Sequence, residues 1–326
     1  MDCIQLPTRA WAANADMTPI ELARGGIVGA WDINISGTHT TVITAGRQDA
    51  PIGIIRRFRL AREGIDLLNV QPDTYQHMLG FYDSAYSTLT NAVADGGAHD
   101  GTLSHNLLNT GPGPHGVDLT DGRSVQGVFT CGVVLDLGTA CTAIASNLRM
   151  LQHSIPPRHL SAGAPLWEPL LIEASLDASA SSVDQDDCTM PSGAFYRGLL
   201  FRAYDSSGDP AAHRVDGLVR RVTVKIDGQV VADVNERLLQ ERGRRYWRQD
   251  AVTADAGVYY LPLPAMTGAA SGLLHVPPAS TMTVHLDTAT AVTSGTTAIT
   301  PAAGDRVFVM SDARRPNQAM ARALGL

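Results

Sequence analysis

The chain has 326 residues, 17% of them charged and 44% in the hydrophobic set, with 31 Gly and 18 Pro. That balance suits a β-rich globular protein with many turns and length enough for two cores, and it argues against disorder over most of the chain. A formal net charge of −7 excludes a general electrostatic affinity for nucleic-acid phosphates.

Cys3, Cys131, Cys141 and Cys188 form no C-x-x-C pair, so neither a zinc site nor a redox motif is indicated, and reduced, mostly buried thiols are expected. The opening residues lack the basic-then-apolar pattern of a secretory signal, and no apolar run approaches the roughly 20 residues of a membrane-spanning helix. Synthesis in a cytoplasm is the expectation.

In chain order, residues 1–24 read as an N-terminal arm, in which Pro19-Ile20-Glu21-Leu22-Ala23-Arg24 has the makings of a helical turn or two before Gly25-Gly26. From Ile27 onward short apolar segments alternate with turn residues: Ile27 to Ile35, Thr40 to Ile43, Ile52 to Leu60. Residues 83 to 125, with Asp95-Gly96-Gly97 and Gly111-Pro112-Gly113-Pro114, predict an elaborate surface loop. Strand character returns at Val125 to Leu137, and Ala140 to Met150 continues it or turns helical. Ser154-Ile155-Pro156-Pro157-Arg158 breaks both patterns, because each proline removes a backbone donor and restrains its predecessor.

Leu166 to Leu176 follows, then a polar stretch from Ser179 to Cys188. A second series of strand-like runs covers Gly198 to Tyr204, Leu218 to Ile226, Gln229 to Val234, Gly257 to Leu263, Thr281 to Leu286 and Arg306 to Met310. The expected organisation is an arm (1–24), a first β-domain (25–153), a linker (154–159), a second β-domain (160–312) and a basic, helix-prone tail (313–326).

An internal repeat supports the two domains. Ile54–Tyr82 aligns with Leu218–Tyr246 at a constant offset of 164 without a gap, giving the identities Arg56/Arg220, Arg57/Arg221, Gly64/Gly228, Val70/Val234, Gln76/Gln240 and Tyr82/Tyr246. The apolar positions keep the period of two that a half-buried strand requires. Each copy reads as strand, tight turn at Glu63-Gly64 or Asp227-Gly228, returning strand, then a short helix ending in tyrosine. A primed hairpin turn needs the positive φ that glycine supplies freely. Asn235 is placed to cap the second helix, with Glu236 favouring its dipole.

The second copy, Val219-Arg220-Arg221-Val222-Thr223-Val224-Lys225-Ile226-Asp227-Gly228-Gln229-Val230-Val231, followed by a helical stretch with Tyr246 and then Tyr259-Tyr260-Leu261-Pro262-Leu263-Pro264, resembles the major capsid proteins of corticovirus-like and tectivirus-like bacterial viruses. The resemblance is strongest over Arg197 to Asp287. It implies an all-β fold of two tandem jelly-roll sandwiches with short helices and long loops. It also implies homotrimers of pseudo-hexagonal outline that tile an icosahedral shell around an internal membrane, with penton and minor capsid proteins as further partners.

A bicupin enzyme needs a His-x-His, which the chain lacks, and no Gly-x-Ser-x-Gly elbow, phosphate loop or dinucleotide fingerprint is present. No catalytic residue and no cofactor is therefore expected. His99, His105 and His115 read as solvated loop histidines ahead of a surface metal site. Asp184, Asp186 and Asp187 are weak candidates for a structural calcium ion, with a solvated acidic turn as the plainer alternative.

Arg242, Arg244, Arg245 and Arg248, interleaved with Tyr246 and Trp247, make the densest basic-aromatic patch, the composition of an interface core between subunits more than of a specific nucleic-acid site. Arg314, Arg315 and Arg322 in the tail suit an inner face, lying against an anionic membrane or a neighbouring capsomer. The expectation is a non-enzymatic virion protein made in a bacterial host's cytoplasm. The rival readings are a trimeric viral spike, penton or receptor-binding β-protein, and a carbohydrate-binding tandem β-sandwich.

Overall fold

The structure is a computed structural model and describes residues 2–39, 54–82, 98–107, 115–132, 144–155, 165–178, 182–204, 215–247, 256–267, 272–288, 292–294, 297–299 and 304–325. The chain forms two compact units, Met1–Pro169 with Arg315–Leu326, and Leu170–Arg314.

The first unit contains β1 (Asp2–Gln5), β2 (Arg9–Ala10), β3 (Ile20–Glu21), β4 (Ile27–His39), β5 (Ile55–Arg62), β6 (Ile65–Val70), α1 (Pro72–Tyr82), β7 (Ala98–Asn106), β8 (Val117–Asp118), β9 (Val125–Cys131) and β10 (Ile144–Ile155). Within it the strands order as β1-β10-β4-β7, with β2 on β10 and β8 on β4, and as β3-β9-β5-β6. The second unit follows with β11 (Trp167–Asp177), β12 (Ser182–Met190), β13 (Ala194–Tyr204), β14 (Val219–Ile226), β15 (Gln229–Asn235), α2 (Glu236–Trp247), β16 (Val258–Pro262), α3 (Leu263–Thr267), β17 (Leu274–Val276) and β18 (Met282–Thr288). A small hairpin of β19 (Val292–Ser294) and β20 (Thr297–Ile299), then β21 (Arg306–Pro316), close the unit, and α4 (Gln318–Leu324) comes last. Its sheets run β11-β21-β13-β16, with β17 on β13, and β12-β18-β14-β15.

Strand for strand the two orders coincide: first, eighth, third and sixth main strands in one sheet, second, seventh, fourth and fifth in the other. This is a jelly roll, formed twice.

The duplication extends to the hydrogen-bond register. Phe58 pairs with Val70 and Val222 with Val234; the ladder slips after Leu60 in one hairpin and after Val224 in the other. Glu63 and Gly64 take φ of 47° and 85°, Asp227 and Gly228 take 49° and 79°. Against the next strand, β5 skips Arg56 and β14 skips Arg220, so each unit carries a bulge at the same step. Arg57 Nε donates to Asn69 Oδ1 at 2.5 Å, and Arg221 Nε to Asp233 Oδ1 at 2.5 Å, 164 residues on. As expected, Asn235 caps α2, its Oδ1 accepting from Leu238 N at 2.9 Å.

Several expectations are corrected. Pro19–Arg24 holds the bridge strand β3 instead of a helical turn, because Ile20 pairs with Gly127 and is fully buried. The arm also places β1 against β10. Residues 83–125 are not one surface loop: β7 pairs along β4 and alternates exposed and buried side chains, and residues 83–97 and 108–114 lie outside the described residues. Ser182 to Cys188 belong to strand β12. β10 runs to Ile155, the remainder of the 154–159 segment lies outside the described residues, and the division between units falls at Pro169/Leu170, inside β11.

Each unit has its own apolar interior. In the first, Phe58 of β5 stacks on Phe129 of β9 at 4.6 Å and 4°, beside the buried Trp31, Ile33, Leu103 and Met150. The second buries Leu199, Phe201, Val222, Val224, Tyr259, Val284 and Val309. At about 25 cal/mol per Å² of apolar surface, a fully buried side chain of this size contributes roughly 1.5–3 kcal/mol.

Candidate subunit-interface site

The basic-aromatic patch lies on the last two turns of α2. Gly243 makes the docking of this helix possible: a Cβ there would lie 2.8 Å from the backbone oxygen of Tyr260 on β16. With the helix this close, Tyr246 stacks on Tyr260 at 5.8 Å and 19°, and Trp247 meets the same ring edge-on at 5.2 Å. The Tyr260 hydroxyl donates to Asp312 Oδ2 at 2.6 Å, which fixes the ring beneath them.

Arg197, on β13, completes the cluster. Its guanidinium lies 4.1 Å from the Trp247 ring centroid, and its Nε donates to the Tyr246 hydroxyl at 3.3 Å. Such a cation over an indole is worth about 0.5–1 kcal/mol at an exposed site. Tyr246 stays 37% exposed, Arg245 is exposed, and Arg242 and Arg244 are half-buried. The result is a rigid aromatic plate rimmed by arginines, the chemistry that anchors protein interfaces. Arg248 lies outside the described residues.

Sequence reasoning found Tyr246, Trp247 and the helix arginines because they are contiguous. It missed Arg197 as a member of the cluster; Tyr260 was noticed only as part of an apolar strand. Both reach the helix across the sheet, and no spacing along the chain signals that.

At the helix's other end, the Tyr259 hydroxyl donates towards Glu236 Oε1 at 2.7 Å and Asp216 Oδ1 at 2.9 Å. Burial raises the Glu236 carboxyl above its ordinary range, against the hydrogen bonds from Tyr259 and Gly217, with the nearby Asp216 adding to the rise. This cluster ties the first turn of α2 to the start of β16 and gives the plate its footing.

The three basic tail residues separate. Arg314 is 2% exposed within β21, so it is no surface cation; Arg315 is half-buried and Arg322 is exposed on α4. Asn317 caps α4, its Oδ1 accepting from Met320 N and Leu166 N. Asp184, Asp186 and Asp187 lie on β12, and their side chains lie outside the described residues. Among the described residues no group of three or more His, Cys, Asp or Glu side chains is placed to hold a metal ion.

The histidines expected on a loop are interior groups. His99 and His105 point inward from β7, and His115, beside β8, is 3% exposed. The Tyr75 hydroxyl accepts from Trp31 Nε1 at 3.1 Å and meets His105 Nδ1, while His99 meets the Ser146 hydroxyl. Burial, with His115 nearby, pushes His105 down to about 3, so its ring is neutral. Of the cysteines, Cys131 and Cys188 are buried, Cys3 is exposed, and Cys141 lies outside the described residues. No helix among the described residues is long and apolar enough to cross a membrane.

No protein-family model matches the chain, and no curated protein does. Solved structures match it over nearly all of its length. A chain of the Sulfolobus Turreted Icosahedral Virus superposes with a TM-score of 0.71 at 11% identity, covering 99% of this chain and 94% of that one. The major capsid protein P2 of Bacteriophage PM2 gives 0.57 at 13% identity, covering 97% and 98%. The PBCV-1 virus capsid gives 0.62 at 12%, covering 98% and 95%. The fold of this chain is therefore the one these capsid proteins share, two jelly rolls in tandem.

Proposed function

We propose that the chain is the major capsid protein of an icosahedral bacterial virus: a structural virion component without catalysis, made in the host cytoplasm. Three copies associate into a pseudo-hexagonal trimer, and trimers tile a shell around an internal membrane, meeting penton and minor capsid proteins. It needs no cofactor and recognises no specific nucleic acid; a calcium ion at Asp184, Asp186 and Asp187 would be structural only.

One observation carries this reading. A single chain holds two jelly rolls of the same strand order, whose central hairpins agree in ladder, bulge and turn residue for residue, so three chains present six similar footprints to a hexagonal lattice under closed three-fold symmetry. The plate of Arg197, Tyr246, Trp247 and Tyr260 supplies an anchor without a counterpart among the described residues of the first unit, and this marks one flank of the trimer from the other. Arg315 and Arg322 face the inner membrane or the neighbouring capsomer.

The test is the native mass of the recombinant chain together with negative-stain images of the same peak. A particle near 104 kDa, three times 34.6 kDa, with a hexagonal outline is expected. A monomer, or an elongated three-fold spike, would overturn the reading.

A further inference from the structure

Six residues are identical between the aligned hairpin-helix segments of the two units, and contacts inside each unit account for five of them. Gly64 and Gly228 take the positive φ of the turns. Val70 and Val234 are buried. Arg57 and Arg221 hold Asn69 and Asp233. Tyr82 and Tyr246 stack on aromatic rings of the following strand. Gln76 is buried on α1, and Gln240 donates to Asp216 Oδ1.

The sixth identity, Arg56 and Arg220, has no such account. Both side chains are exposed, and neither meets a hydrogen-bond acceptor, carboxylate or ring among the described residues. Both occupy the residue that the ladder skips, the place where a bulge turns a side chain out of the pleat. An exposed arginine without a partner contributes almost nothing to the stability of its own unit. Two diverged copies that have nevertheless kept the cation, and the bulge that aims it, point to a use outside the unit that is the same for both.

We infer that Arg56 and Arg220 are equivalent contact points that bind carboxylates of a second copy of this chain. The inference rests on the capsid reading, under which the six rolls of a trimer meet similar neighbours. Charge complementarity favours a copy as partner, because 32 acidic residues outnumber 25 basic ones. Guanidinium binds carboxylate through two parallel hydrogen bonds, so the contact sets orientation as well as attraction. Where the plate on α2 makes the two units different, this pair makes them alike.

The experiment uses the full chain and three variants, Arg56→Glu, Arg220→Glu and the double reversal. Melting temperature, native mass as a function of concentration, and binding to phosphatidylglycerol vesicles are measured. Melting temperatures within about 2 °C of the parent are expected, since neither side chain has an internal partner. Each single reversal should raise the concentration needed for self-association at least ~10-fold, and the double reversal further, because like charges then face each other across the contact.

Assembly of the double variant at the parent's concentration would overturn the inference and leave the capsid reading intact. So would a loss confined to vesicle binding, which would assign the cations to phosphate. If the parent chain itself stays monomeric at every concentration, the capsid reading falls first and the inference falls with it.

Discussion

Tyr246 lies flat on Tyr260, ring centroids 5.8 Å apart and planes 19° from parallel, and 164 residues earlier Tyr82 lies on His105 with the same separation and an angle of 18°. Each helix is closed by the same ring against the next strand of its own unit. The surroundings differ: His105 belongs to a buried network with Tyr75 and Trp31, whereas Tyr246 is part of a plate that solvent still reaches.

Tyr246→Ala should therefore act twice. Loss of the stack costs about 0.5–1.5 kcal/mol of stability in chemical denaturation. With the plate in the interface of the proposed trimer, native mass spectrometry should show a larger fall in trimer than that destabilisation explains. A variant that loses stability but keeps its trimer would remove the plate from the interface.

Helix α2 depends on Gly243. Gly243→Ala puts a methyl group 2.8 Å from a backbone oxygen that cannot swing away, and a loss of about 1–3 kcal/mol is expected. Gly228→Ala meets nothing within 4 Å but must hold φ near +79°, for roughly 1–2 kcal/mol. The two separate on Tyr246 and Trp247 fluorescence, which only the first should disturb.

Two ion pairs, Arg62–Glu168 and Arg221–Asp233, differ in burial. Arg62 and Glu168 meet at 2.7 Å with side chains 12% and 7% exposed, and Arg62 also donates to the backbone oxygen of Asp118. Burial raises the Glu168 carboxyl although Arg62 opposes it. Glu168→Gln leaves a buried guanidinium without its counter-charge and should cost about 3–5 kcal/mol. Asp233→Asn removes the charge from an exposed pair, and the first unit already uses Asn69 there, so less than about 1 kcal/mol is expected. Urea unfolding curves of the two variants decide the matter.

His105 gives the first unit an acid limit. The ring stays neutral in the fold down to about pH 3, while the unfolded chain takes up its proton near 6.5. Stability is then complete above 6.5 and falls as pH drops towards 3, by up to about 1.4 kcal/mol per pH unit. Glu236 in the second unit has the opposite sign: its raised carboxyl favours the fold at low pH and loses that contribution as pH rises above its ordinary 4.5. Melting curves between pH 4 and 8 should show His105→Gln flattening the acid side and Glu236→Gln removing the loss of stability above 4.5. An unchanged acid limb in His105→Gln would assign the loss to other groups.

The repeat was legible because strand phase, turn glycine and terminal tyrosine each obey a local rule. Strand β7 was not, since its inward positions are His99, Gly101, Leu103 and His105, and only one of the four counts as apolar. Those histidines sit in the interior with one ring nitrogen each meeting a partner distant in the chain, Tyr75 for His105 and Ser146 for His99. The division at Pro169/Leu170 left no mark either: β11 runs through it without a turn, whereas Pro156-Pro157 advertises a break. The aromatic plate was read in part, its helix residues by adjacency and its sheet residues only once the fold brought Arg197 and Tyr260 under them.

The second unit is spliced into the first. Asn317 is bonded to Leu166 in both directions, backbone nitrogen to backbone oxygen at 2.9 Å and backbone nitrogen to side-chain oxygen at 3.0 Å, so the strand that leaves the first unit and the one that returns to it are clasped together. A ribosome must therefore complete Leu170–Arg314 before it delivers the segment that finishes the earlier unit, a delay on the order of ten seconds. Throughout that interval the older half of the chain waits open, and whatever protects it from its neighbours sets the pace at which usable subunits appear.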